Sequence, residues 1–131
     1  MSASFADVCV VVPAFREGKV IAATVGELRS QFPNVVVVDD GSGDSTAQEA
    51  RRAGAHVVCH PINLGQGAAL QTGISFAVRS GAAFVATFDA DGQHHVSDLC
   101  QMVEILRREP VDIVLGSRFL GKTESMPVSR R

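Results

Sequence analysis

At 131 residues, 46% hydrophobic and 20% charged, with a formal net charge of −2, the chain has the size and balance of one globular domain with a sizeable core. That balance gives no electrostatic reason to bind nucleic acid, since basic residues adjoin only in pairs, the last being Arg130 and Arg131 at the end. No window approaches the ~18 uncharged apolar residues of a membrane span, and the start lacks a basic-then-apolar signal, so a soluble, cytoplasmic domain over residues 1–131 is expected.

Residues 8–12 form a continuous apolar run closed by Pro13, which suits a central parallel strand. A loop follows through Gly18. Ile21, Val25, Leu28 and Phe32 then recur at helical spacing, and Pro33-Asn34 ends that helix. Glu17 thus sits where the first strand hands over to the first helix, a place where a carboxylate also complements the helix dipole.

The pattern repeats at Val35 to Val38, four valines that run into Asp39-Asp40-Gly41-Ser42. Asp44 or Ser45 can cap the short second helix, which Gly54 stops. Capping does not explain Asp39 and Asp40, whose carboxylates could accept a nucleobase N–H or a ribose hydroxyl. Residues 56–60 make a short third strand, and His56 and His60 read as ordinary strand-end histidines. The glycine-punctuated stretch from Asn63 opens a third helix running to about Ser80, whose start could offer N–H groups to phosphate. Gly65-x-Gly67 only begins a dinucleotide fingerprint, because Leu70 takes its third small position and the motif follows the third strand, so a dehydrogenase is disfavoured.

Residues 84–88 are an apolar run that ends in Asp89-Ala90-Asp91-Gly92-Gln93. A buried strand here delivers two carboxylates to the carboxyl edge of a sheet, where open α/β sheets bind ligands. In extended geometry Asp89 and Asp91 point the same way, and a hard divalent cation removes their mutual repulsion. His94 and His95 read as exposed loop histidines. Leu99, Met102, Val103 and Leu106 define a fourth helix stopped by Pro110. Residues 111–119 give a fifth strand containing Arg118, and the polar tail 120–131, with Pro127, reads as a loop. Cys9, Cys59 and Cys100, without a C-x-x-C, read as reduced core residues. The alternation of strands and helices predicts an α/β fold with a mostly parallel sheet covered on both faces.

Together the strand ends resemble the donor half of a family 2 inverting glycosyltransferase of the GT-A fold, nearest in pattern to the dolichol-phosphate mannose synthase and polyprenyl-phosphate glycosyltransferase group. Pro13-x-Phe15-x-Glu17 matches the P-x-Y-x-E loop, with Phe15 for Tyr and Arg16 for Asn; residues 38–42 match V-D-D-G-S; Asn63-x-Gly65-x-Gly67-Ala68-Ala69 with Gly73 matches the helix start, with Gln66 where Lys is common. Asp89-Ala90-Asp91-Gly92-Gln93 matches D-A-D-x-Q, and residues 116–119 match G-S-R-[YF].

The resemblance implies a three-layer, Rossmann-like GT-A sheet in which Pro13, Phe15, Glu17, Val38 and Asp40 surround the nucleoside. Asp89, Ala90 and Asp91 reach the ribose, diphosphate and metal; Asp89, Asp91 and Gln93 are the metal set for Mg²⁺ or Mn²⁺; Arg118 contacts a phosphate. The implied donor is a UDP- or GDP-linked sugar and the acceptor a polyprenyl phosphate, which needs no general base because its oxygen is already ionised; no carboxylate here is placed as one. Attachment at the inner face of a membrane is compatible with that acceptor. The resembling family carries an acceptor half, and an antiparallel strand between the fourth and fifth strands, beyond this length. The chain is therefore expected to be an incomplete, truncated GT-A domain with a vacant position beside residues 84–88. Such a vacancy would favour pairing of that edge in a homodimer or inward movement of residues 113–117. A catalytically silent nucleotide-sugar binding module is the alternative. A sugar-phosphate nucleotidyltransferase is disfavoured, because residues 13–17 supply no glycine-rich basic loop.

Overall fold

The computed structural model describes residues 5–90, 95–109, 113–115 and 127–130. In chain order the elements are β1 (Val8–Ala14), α1 (Ile21–Arg29), β2 (Asn34–Asp39), α2 (Thr46–Arg52), β3 (His56–Cys59), α3 (Gln66–Arg79), β4 (Phe84–Thr87), α4 (Val96–Arg108), β5 (Ile113–Leu115) and β6 (Pro127–Arg130). One sheet runs β3-β2-β1-β4-β6-β5. Its first four strands are parallel, and β6 is antiparallel to both β4 and β5.

Alternation along the strands builds two cores. Val8, Val10, Val12 and Ala14 of β1 join Val35 and Val37 of β2 under α1, α2 and α4, where Leu28, Phe32, Leu99 and Leu106 are fully buried. Cys9, Val11, Val36 and Val85 face the other way, toward α3. Because both faces are covered, the strands read as unbroken apolar runs rather than alternating ones. The α3 layer lies close through a stripe of small residues, Ala69, Gly73 and Ala77. A Cβ on Gly73 would stand 2.2 Å from Val11 Cγ1 and 3.2 Å from Val38 Cγ2, so only glycine allows this approach.

Two expectations are corrected here. The tail is not a loop throughout, since β6 lies between β4 and β5, pairing Phe84 with Arg130, Val85 with Ser129 and Ala86 with Val128. The position beside β4 is therefore filled from within the chain, residues 113–115 have not moved inward, and the β4 edge expected to be open for pairing is covered by β6. Pro127 is accommodated at the strand's first residue, where it faces Leu115 and the β4 pairing has not begun. Cys59 is also not a core residue: it is exposed on β3, a strand that pairs only with β2 among the described residues.

The other two thiols are shielded to different degrees. Burial pushes the Cys9 thiol up to about 11, and burial together with the charge of Glu104 raises that of half-buried Cys100. Since thiolate and access together set reactivity, iodoacetamide at about pH 8 is expected to label Cys59 first, Cys100 more slowly, and Cys9 only after unfolding. Peptide mapping of a labelling time course checks this order; early labelling of Cys9 would contradict the packing.

Candidate functional site

β1 and β4 stay paired only as far as Val11 and Thr87, with one further bond from Phe88 N–H to Val11 C=O at 3.0 Å. Beyond that point β1 follows β2 alone, through Ala14 C=O, which accepts from Asp40 N–H at 2.9 Å. Successive residues of a strand turn their backbone polar groups to opposite sides. Val11 bonds toward β4 and Ala14 toward β2, so Pro13, which has no N–H, falls on the side that β4 has already left. The parting occurs where the strand order reverses: β2 and β3 build outward on one side of β1, and β4 lies on the other. Such a switch point at the carboxyl ends is where open α/β sheets hold ligands.

A cleft of about 420 Å³ opens there. Its walls are Pro13 and Ala14 at the end of β1, Phe15 and Glu17 after it, Asp40 after β2, Asn63, Gly65, Gln66 and Ala69 around the start of α3, and Asp89 and Ala90 after β4. Six residues expected at the site from sequence, Pro13, Phe15, Glu17, Asp40, Asp89 and Ala90, are thus brought to one cavity. Val38 is not among its lining; fully buried, it packs beneath α3 next to Gly73. Asp91, Gln93 and Arg118 lie outside the described residues.

The loop after β1 is pinned by the turn after β2. Arg16 N–H donates to Ser42 Oγ at 2.8 Å and Glu17 N–H to Thr46 Oγ1 at 3.0 Å. Asp39, for which capping gave no account, accepts from Ser42 N–H at 3.1 Å and so holds that turn. Asp44 accepts from Thr46 N–H and its hydroxyl, and those bonds from Thr46, the hydroxyl's foremost, hold its carboxyl below the ordinary range. Arg16 is left in the left-handed region at φ 56°, with its guanidinium 5.0 Å from the centre of the Phe15 ring. On the far side, Thr24 Oγ1 of α1 donates to Ala90 C=O at 3.4 Å.

Asp40 is held by both of its carboxylate oxygens. Its Oδ1 accepts from Leu64 N–H at 2.8 Å and lies 2.8 Å from His60 Nδ1; its Oδ2 accepts from Gly65 N–H at 2.9 Å. Burial alone would raise its pKa, but these bonds and the neighbouring imidazole outweigh burial and hold the carboxyl below its usual value. His60, expected to be an ordinary strand-end histidine, is therefore part of the site. The signal that finds it is register: Asp39 pairs with Cys59, so the next residues, Asp40 and His60, emerge side by side.

For a divalent cation the donor chemistry fits in part. Asp89 places a hard carboxylate at the cleft wall, and Mg²⁺ commonly takes one or two carboxylates plus ligand phosphates rather than a full protein cage. Among the described residues no group of three His, Cys, Asp or Glu side chains could hold a metal by itself. No helix among them is long and apolar enough to cross a membrane.

The family described as glycosyl transferase family 2 matches residues 9–131. An uncharacterised protein of Methanocaldococcus jannaschii is 43% identical over 95% of this chain and 53% of its own length. The undecaprenyl-phosphate mannosyltransferase of Micrococcus luteus is 32% identical over 95% of the chain and 54% of its own. The chain thus spans about half the length of these relatives. In fold it superposes on glucosyl-3-phosphoglycerate synthase of Mycobacterium tuberculosis, solved with Mn²⁺, UDP-glucose and phosphoglyceric acid, with a TM-score of 0.78 at 20% identity, covering 94% of this chain and 56% of that one. The mostly parallel sheet covered by helices on both faces is the GT-A arrangement. The match begins in β1 and runs through every later element, and the chain belongs to glycosyl transferase family 2.

Proposed function

We propose that the cleft binds a nucleotide-diphospho-sugar with Mg²⁺ or Mn²⁺ and that the protein containing this chain transfers the sugar with inversion, a polyprenyl phosphate being the acceptor. One observation carries the reading: the strand-end loops at 13–17, 40, 63–69 and 89–90 meet in a single cleft at the switch point of the sheet. The mycobacterial neighbour crystallised with Mn²⁺ and UDP-glucose and the mannosyltransferase relative named for undecaprenyl phosphate support the donor and acceptor classes.

In this reading Pro13, Phe15, Glu17 and Asp40 surround the nucleoside, and Val38 supports that wall from beneath α3. Asp89 and Ala90, with Asp91 and Gln93 of the same motif, face the diphosphate side, and Arg118 meets a phosphate. Asp89, Asp91 and Gln93 would hold the cation, which offsets the negative charge that grows on the departing diphosphate. An acceptor phosphate oxygen forms the new bond to the anomeric carbon. The bond from that carbon to the diphosphate breaks, and the nucleoside diphosphate leaves with the electron pair. The acceptor oxygen is already ionised, so no residue of the chain must take a proton from it.

Calorimetric titration with UDP and with GDP, each with Mn²⁺ and with EDTA, tests the donor half of the reading. One nucleotide is expected to bind in Mn²⁺ and to weaken by at least roughly tenfold in EDTA or in Asp91→Ala. Failure of both nucleotides to bind a protein folded by circular dichroism would reject it. Metal-dependent binding without transfer from the matching nucleotide sugar to a polyprenyl phosphate would mark a binding module instead of a transferase.

A further inference from the structure

His60 and Asp40 are both withdrawn from water, with side chains 8% and 4% exposed. Behind the imidazole stands α3, whose Thr72 Oγ1 is 2.8 Å from His60 Nε2. An ionised carboxylate only accepts, so His60 Nδ1 carries the proton that points at Asp40, while Nε2 and the Thr72 hydroxyl, which can both donate and accept, are paired behind the ring. Each of the three groups thus has its partner.

A carboxylate offers about four acceptor positions. Leu64 N–H and His60 occupy two on Oδ1 and Gly65 N–H occupies one on Oδ2, which leaves one. Rotation about the Asp40 side chain would break all three bonds together. We propose that His60, backed by Thr72, is a positioning residue for the cleft: it fixes the Asp40 carboxylate at one rotation, with a single acceptor position left for a ligand N–H or O–H. The proposal rests on the nucleotide reading of the cleft. It adds a residue that lines none of the cavity and acts only through Asp40.

Two measurements on the chain test it. Long-range ¹H–¹⁵N correlation spectra of the free protein are expected to show a proton on His60 Nδ1. Titration with UDP and GDP in Mn²⁺ is expected to show His60→Leu weakened at least roughly tenfold for whichever nucleotide the wild type binds. His60→Asn, whose amide N–H stands where Nδ1–H stood, is expected to recover affinity to within about threefold. If His60→Leu does not fold, Thr72→Val reads the same coupling: loss of the hydroxyl should shift the Nε2 signal and lower affinity about threefold. An Nδ1 without a proton, wild-type affinity in folded His60→Leu, or no change in Thr72→Val overturns the proposal, as does an Asn variant no better than Leu. If wild type binds neither nucleotide, the reading of the cleft fails first and the positioning role falls with it; wild-type binding with an indifferent His60→Leu defeats the positioning role alone.

Discussion

Gly41→Ala is expected to cost the fold about 3 kcal/mol and to remove nucleotide binding, although it adds a single methyl group. Two penalties add. Gly41 has φ +71°, where an L side chain costs about 1–2 kcal/mol. Its Cβ would also stand 2.4 Å from Asn63 N and from Ile62 C, and 2.8 Å from Ile62 O, and overpacking of this kind costs about 1–3 kcal/mol. Those neighbours are backbone atoms, so no side chain can swing aside. The segment must move, and it is the segment whose Leu64 and Gly65 N–H groups hold Asp40. Gly43 provides the control, since it has φ +73° and a Cβ added there would meet nothing within 4 Å. Gly43→Ala should therefore lose only about 1–2 kcal/mol and keep its nucleotide affinity. Urea unfolding of both variants separates conformational strain from crowding, and equal losses would mean that the contact between residues 41 and 62–63 does not constrain the site.

What the sequence discloses about this molecule follows from which information is local. Pro13, Glu17, Asp40 and Asp89 can be placed at one edge because each lies at or just beyond the end of an apolar run, and in a parallel sheet every such run delivers its carboxyl end to the same side. The α4 face is equally legible, since Leu99, Met102, Val103 and Leu106 recur at helical spacing and all four are buried. β6 is not legible. Pro127, Ser129 and Arg130 surround one β-branched apolar residue, and the segment becomes a strand because β4 and β5 offer ladders on both sides. His60 and Cys59 fail for a related reason. Which strand lies at an edge, and which residues emerge side by side, depends on strand order and register, which no stretch of β3 encodes alone. Val38 matches the family pattern as a motif, yet its place under Gly73 makes it a support for the helix and not a wall of the cleft.

Asp40→Asn is expected to lose about 2–3 kcal/mol near neutral pH, despite being nearly isosteric. Three donors surround the carboxylate, Leu64 N–H, Gly65 N–H and His60 Nδ1–H, and an amide brings a fourth. With the amide oxygen at Oδ1, the NH₂ group confronts Gly65 N–H. In the reverse orientation His60 can change tautomer and accept, but Leu64 N–H then faces the NH₂ group. Either way one buried backbone donor is orphaned and the charge-assisted bonds are lost. The pH dependence fixes the origin of the effect. Burial raises the Asp40 pKa, but the Leu64, His60 and Gly65 hydrogen bonds lower it more, so the folded value lies below the unfolded one of about 3.9. A depressed acid contributes stability that is fully present above the unfolded pKa and is lost as pH falls through the folded pKa. Asparagine lacks that contribution at every pH. The stability gap between wild type and Asp40→Asn should therefore be widest from about pH 5 upward and close progressively below about pH 4, as read from urea midpoints across that range. A gap that stays constant through the acid limb would mean that the cleft is organised by the shape of this side chain and not by its charge, and the nucleotide would then meet a neutral wall where the hydrogen bonds now place an anion.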